Sequence, residues 1–147
     1  MSADAIFGFI QFVRWPLEEQ VERWQICEAR PASAAASETA GPGARGKQIV
    51  RVHVAGPEHA QQCQILDLTA LPQKDALAWL QRVRQLPVLT IGAGEPFCTA
   101  GGVACTRAAA SGGGFEINLS AAQLAGLRIS AQLLMQGRKR DTLGAAK

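Results

Sequence analysis

The residues of this chain whose types and spacing could do chemistry are four cysteines, two histidines and a glycine pair that follows an apolar run. Cys27, Cys63, Cys98 and Cys105 could close disulfides, bind a metal as thiolates or act as redox nucleophiles. No two of them stand in the CxxC spacing of a zinc ribbon or a thioredoxin-type centre. His59 lies four residues before Cys63, but no third or fourth ligand follows at a zinc-like interval, so no metal site is assigned. Cys98 and Cys105 flank Gly101-Gly102, which can fold a short loop back on itself. That makes Cys98–Cys105 the geometrically easiest bridge and leaves Cys27 with Cys63. Spacing leaves the other reading open, four buried reduced thiols, because 147 residues can build a core without covalent staples.

The remaining repertoire is thin. There is no Tyr, and no GxSxG elbow, HExxH or Walker A sequence occurs. Gly92-Ala93-Gly94 follows a strand as a dinucleotide fingerprint would. Phe97, however, stands where the third glycine belongs, and Cys98 comes where a helix should open, so no cofactor is expected. His53 alternates with valines and reads as a solvated or cross-strand-paired histidine rather than a catalytic one. Glu116, between Phe115 and Ile117, reads as an outward-facing carboxylate. Trp15, Trp24 and Trp79 are of the kind that fills a core. The usual acid–base toolkit is therefore thin.

The elements that must position these residues belong to a chain of one-domain length, and 1–147 is read as a single domain. Hydrophobic residues make up 48% of it, too many for a disordered chain, although 26 of the 147 residues are Ala. The net charge is only +3, and the basic residues are scattered apart from Arg138-Lys139-Arg140, read as a solvated tail. A nucleic-acid binder would carry a denser stripe. Uncharged runs reach about ten residues, half of what a bilayer-spanning helix needs, so no direct membrane insertion is expected. Ala5 to Val13 is apolar, but Asp4 precedes it and Arg14-Trp15-Pro16 follows it, unlike a secretory leader. It is read as part of the fold, with any leader absent from this sequence.

Ile6, Phe9, Ile10 and Val13 have helical spacing and predict a helix over 4–14 that Pro16 closes, followed by a weaker helical stretch over 17–23. Gln25–Ala29 reads as a strand, and 31–46, which lacks large apolar residues, as a surface loop. Ile49–Val54 alternates as a half-buried strand, Cys63–Leu68 reads as a buried one, and a helix runs from Pro72 to about Gln85 with Leu77, Leu80 and Val83 inward. Val88–Ile91 is the next strand. Val103–Ala108 and Phe115–Leu119 predict an antiparallel hairpin, Ser120 with Gln123 a capping box for a short helix ended by Gly126, and Ser130 the cap of a last helix to about Gln136. The alternation predicts an α/β fold, a three-layer αβα sandwich whose mostly parallel sheet ends in an antiparallel hairpin.

The second half of the chain resembles a known family. Leu86-Pro87-Val88-Leu89-Thr90-Ile91, Phe97, Gly101-Gly102, Phe115-Glu116-Ile117-Asn118-Leu119 and Ala125-Gly126-Leu127-Arg128-Ile129-Ser130-Ala131-Gln132-Leu133-Leu134 are similar to the YfiR family of small periplasmic regulators. The opening Phe9-x-x-Phe12-Val13-x-Trp15-Pro16 resembles that family's first helix. The resemblance implies an exported, non-enzymatic protein that binds the periplasmic domain of a membrane-anchored diguanylate cyclase and represses it, lowering cyclic-di-GMP signalling and biofilm formation. A homodimer is compatible with it. It also implies two disulfides, Cys27–Cys63 and Cys98–Cys105, although Cys27 lies late in its strand while Cys63 opens its own. Three features depart from the family pattern: the small-residue segment 31–46, Arg14 in place of an acid, and Gly114 in place of a base.

Alternation in the last strand places Glu116 and Asn118 on one face and Phe115, Ile117 and Leu119 on the other. If the second face packs on the core, Glu116 is displayed beside the Cys98–Cys105 loop. The expected partner-binding surface is then Glu116, Asn118, Phe97, Val103 and Ala104, with the Trp15 region next in line. Two rival readings are a periplasmic small-ligand receptor, with a pocket at the carboxyl ends of the strands, and a thiol-based redox sensor.

Overall fold

The computed structural model describes residues 3–30, 38–83, 85–108, 113–136 and 138–139. The chain opens with helix α1 (Ala3–Phe12), passes into β1 (Val13–Arg14) and a 3-10 turn at Glu18–Gln20, and continues through β2 (Trp24–Ala29), β3 (Glu38–Ala44) and β4 (Lys47–Val54). A second 3-10 turn, Pro57–Gln62, leads to β5 (Ile65–Asp67), α2 (Gln73–Val83), β6 (Leu89–Ala93), α3 (Glu95–Thr99), β7 (Ala104–Thr106) and β8 (Phe115–Ile117). The chain then runs through α4 (Leu119–Leu124), β9 (Arg128–Ile129), α5 (Ala131–Gln136) and β10 (Arg138–Lys139).

Eight strands form one sheet in the order β10-β8-β7-β6-β5-β2-β4-β3. Its centre, β4-β2-β5-β6-β7, is parallel throughout, while β3 and β8 join antiparallel and β10 pairs parallel with β8. A parallel sheet must be covered on both faces, and the alternating strand residues divide into two cores accordingly. Trp24, Ile26, Ile65, Leu89 and Ile91 pack on one face with Phe9, Ile10 and Val13 of the α1 region, and with Ala121, Ala122 and Leu133 of α4 and α5. Cys27, Ala29, Leu66 and Cys105 pack on the other with Ala76, Leu80 and Val83 of α2, and with Phe97 and Cys98 of α3. This is the expected α/β architecture, a sheet between two helical layers. Beyond the expected hairpin β7–β8, it carries a further edge strand at each end.

Several elements differ from their expected form. Residues 13–14 leave the first helix to pair antiparallel with Arg128–Ile129, a two-stranded ribbon that runs too few residues to show any periodicity. The stretch 17–23 forms only one 3-10 turn, because Leu17 takes a left-handed conformation (φ 58°) that no helix continues. Part of the expected loop 31–46 is strand β3, held to β4 by backbone pairing that needs no large side chain; residues 31–37 lie outside the described residues. A one-turn helix, α3, does open after Gly94, where none was expected. The cap of α4 is Asn118, not Ser120: its Oδ1 accepts from Ala121 N at 3.1 Å, so the strand stops at Ile117. Gly126 ends α4 as expected, with φ 78° and with Leu127 N donating to Ala122 O. Ser130 caps α5 through Leu133 N. Arg138 and Lys139, expected in a solvated tail, pair with Glu116 and Ile117, and Arg140 lies outside the described residues.

Candidate functional site

At the β7–β8 edge, a disulfide, two glycines and one phenylalanine build a rigid corner. Phe97 projects from α3 and is 1% exposed, against the backbones of Gly92 and Gly102. A Cβ at either glycine would overlap the ring. The Gly92-Ala93-Gly94 sequence therefore has a packing reason: Gly92 makes room for Phe97, and Gly94 (φ 84°) turns the chain into α3. Cys98 of α3 is bonded to Cys105 of β7, with Cα atoms 5.7 Å apart. Val103 N donates to Thr90 Oγ1 at 3.0 Å, and Asn118 Nδ2 donates to Cys98 O at 2.8 Å. These bonds tie the 97–105 loop to β6 on one side and to the start of α4 on the other.

Glu116 lies opposite Cys105 in the β7–β8 register, so the two side chains share the α2–α3 face of the sheet. Its carboxylate Oε2 is 3.5 Å from Arg107 Nε, and both side chains are about one-fifth exposed. The opposite face carries Ile117, fully buried, and Phe115, whose ring meets Phe9 edge-on at 5.1 Å. The expected division of faces thus holds along β8. The expected surface holds less well: Phe97, Val103 and Ala104 are buried, and both polar atoms of the Asn118 side chain are spent inside the fold. These four build the frame, and Glu116 with Arg107 is what the frame presents at its rim. Arg107 was not singled out from the sequence, since only the hairpin's register brings it to Glu116.

A family model described as YfiR/HmsC-like matches residues 1–138. The chain belongs to the YfiR/HmsC-like family. The family is one of periplasmic regulators of cyclic-di-GMP signalling, and it is regulatory rather than catalytic. Among the described residues no helix is long and apolar enough to cross a membrane.

Both disulfides of this YfiR/HmsC-like domain are formed, Cys27–Cys63 with Cα atoms 5.9 Å apart. The mismatch in strand depth does not arise, because Cys63 is not part of β5. It ends the 3-10 turn packed on the sheet face, and so meets Cys27 from outside the plane of the strands. All four cysteines are buried, whereas a redox-sensing cysteine is ordinarily accessible.

At the carboxyl ends of β2 and β4, Glu28 accepts from Arg51 at 3.0 Å and meets His53 Nε2 at 3.1 Å, with Arg30 3.7 Å away. His53 is thus cross-strand paired, as one of its two readings had it. The carboxylate of Asp67 accepts from Thr69 N and Oγ1 at 2.9 and 2.6 Å. At these strand ends the Glu28 and Asp67 carboxylates are thus engaged by neighbouring groups of the fold.

The Trp15 region forms a second tied corner. Trp15 Nε1 donates to Gln64 O and Trp15 N to Glu18 Oε1, both at 2.9 Å. Glu18 in turn pairs with Arg45, whose guanidinium also donates to the α1 carbonyls Ile10 O and to Val13 O at 3.0 Å. Arg45 and Lys47 stand over the Trp24 ring at 5.0 and 4.8 Å.

Proposed function

We propose that this YfiR/HmsC-like chain binds the periplasmic domain of a membrane-anchored diguanylate cyclase and holds that enzyme inactive without doing chemistry itself. The family match over 1–138 carries the reading. The geometry of the disulfide corner supports it, because a frame fixed by a disulfide, a wedged ring and side-chain-to-backbone bonds loses little freedom when it docks. The contact centres on Glu116 and Arg107, whose charges face each other across the hairpin and remain partly open to solvent. Repression then follows from tighter binding to the inactive state of the partner. A differential affinity of about 5.5 kcal/mol moves a two-state equilibrium from 1:99 to 99:1, and a smaller difference gives partial control.

The test is binding of the purified chain to the isolated periplasmic domain of such a cyclase, together with cyclic-di-GMP synthesis by the full-length enzyme in membranes. The chain is expected to bind, to lower synthesis, and to neither make nor cleave a cyclic dinucleotide by itself. Glu116→Lys is expected to weaken binding and release synthesis, and Glu116→Gln to do so more mildly, both within a few degrees of the parent melting temperature. Turnover by the chain alone, or no binding, would overturn the assignment. Unchanged binding by a folded Glu116→Lys would move the contact away from this rim.

A further inference from the structure

The ribbon β1–β9 sets two like charges against each other. Arg14 is the direct cross-strand partner of Arg128, and both are exposed. Residues so paired hold their Cβ atoms roughly 4.5–5.5 Å apart, and like charges there oppose folding. Among the described residues Arg14 donates to neutral carbonyls alone, Gln11 O at 3.2 Å and Val13 O at 3.3 Å. Among the described residues no carboxylate lies within 4.0 Å of either guanidinium.

Apolar side chains that the core does not use adjoin this pair. Leu17 is 64% exposed and left-handed (φ 58°), and Leu124 is 75% exposed. The two turns that carry them are in contact, since a Cβ at Gly126 would meet Pro16 Cγ at 3.4 Å. The exposed leucines and the opposed arginine pair thus lie on adjoining turns and strands in one region of the fold. The patch is also held still. Trp15 is bonded to Gln64 and Glu18, Lys47 Nζ donates to Glu18 O at 3.0 Å, and Ser130 N donates to Phe12 O at 2.9 Å.

We infer that Arg14, Arg128, Pro16, Leu17 and Leu124 form a second docking surface, for an acidic segment of the same cyclase periplasmic domain that also carries an apolar side chain. This rests on the proposed function and deepens it. Carboxylates of the partner would supply the counter-charge that the pair lacks among the described residues, and an apolar side chain beside them would cover the leucines. A second copy of the chain fits poorly, because a two-fold contact brings the same patch from both subunits and so four arginines together. A lipid surface fits poorly too, since recognition of anionic headgroups takes a cluster of about four to eight basic residues.

The experiment is calorimetric titration of the cyclase periplasmic domain with the full chain at two salt concentrations, alongside thermal melting. The parent is compared with Arg14→Glu, Arg128→Glu, the double variant and Leu17→Ser. Each single Glu variant is expected to weaken binding about tenfold or more and to flatten its salt dependence. The same variant converts a like pair into an opposite one and should raise the melting temperature by about 1–4 °C. Weaker binding by a more stable protein cannot come from damage to the fold. The double variant should lose that thermal gain and bind weakest, and Leu17→Ser should weaken binding with its salt dependence unchanged. Parent-like binding by both single Glu variants overturns this inference and leaves the proposed function standing. Failure of the parent to bind overturns both. Loss, in Arg14→Glu, of a dimer seen by sedimentation or of binding to vesicles with 30% anionic lipid, without change towards the cyclase domain, reassigns the surface and overturns it as well.

Discussion

The two disulfides close loops of very different length, and that difference sets how much each one stabilises the fold. Cys27–Cys63 spans 36 residues and Cys98–Cys105 spans 7. A cross-link acts chiefly by restricting the unfolded chain. The loop-entropy relation assigns about 3.8 kcal/mol to the longer bridge and about 2.4 kcal/mol to the shorter at 25 °C. The perturbation is the paired replacement Cys27→Ala with Cys63→Ala, set against Cys98→Ala with Cys105→Ala. Paired replacement leaves no orphan thiol, and because all four residues are buried the packing lost with the sulfurs is similar in the two variants. The difference of about 1.5 kcal/mol corresponds to roughly 3–6 °C in melting temperature, the variant without Cys27–Cys63 being the less stable. Urea unfolding followed by tryptophan fluorescence gives both the midpoint and the m-value. A changed m-value would trace the effect to the compactness of the unfolded state. Equal midpoints at equal m, or a lower midpoint for the Cys98/Cys105 variant, would refute the loop-length argument and show that the short bridge acts through the native corner instead.

Three further outcomes are expected. Protein recovered from the periplasm, denatured without reduction and treated with an alkylating reagent, should show no reactive thiol; two or more would contradict the bonded state of the four cysteines. Gly102→Ala should cost about 1–3 kcal/mol in urea unfolding, because its methyl meets the Phe97 ring, and adding Phe97→Leu should recover part of that loss; additive losses would mean that the ring is not the obstacle. Glu28→Ala should cost about 1–2 kcal/mol at low salt and less at high salt, since Arg51 and His53 lose their shared carboxylate; a loss independent of salt would assign Glu28 a packing role only.

Local pattern made much of the fold legible. The alternation of Val50, Val52 and Val54, the stripe of Leu80 and Val83 and the turn at Gly126 each lie within one element, where a period of two or 3.6 is enough to locate an element and its inner face. The family pattern adds the disulfide pairs. The candidate site was legible only in part. The face of Glu116 was legible because alternation marks it, but Phe97, Val103 and Ala104 were expected at the surface and are buried. Their burial depends on what lies across from them, namely the backbones of Gly92 and Gly102 and the Thr90 hydroxyl.

The amino-acid sequence by itself determined where the longer helices and the inner strands lie, which of their faces are apolar and that the chain alternates into a sheet between two helical layers, because these follow from neighbours a few residues apart; strand β3 and helix α3 it did not show. Only the tertiary structure decided the β1–β9 ribbon, the Glu28–Arg51–His53 cluster and the pairing of Glu116 with Arg107. Strands of two or three residues carry no readable period. Whether two charged groups on different strands meet is set by sheet order and register, which the packing of the whole chain selects.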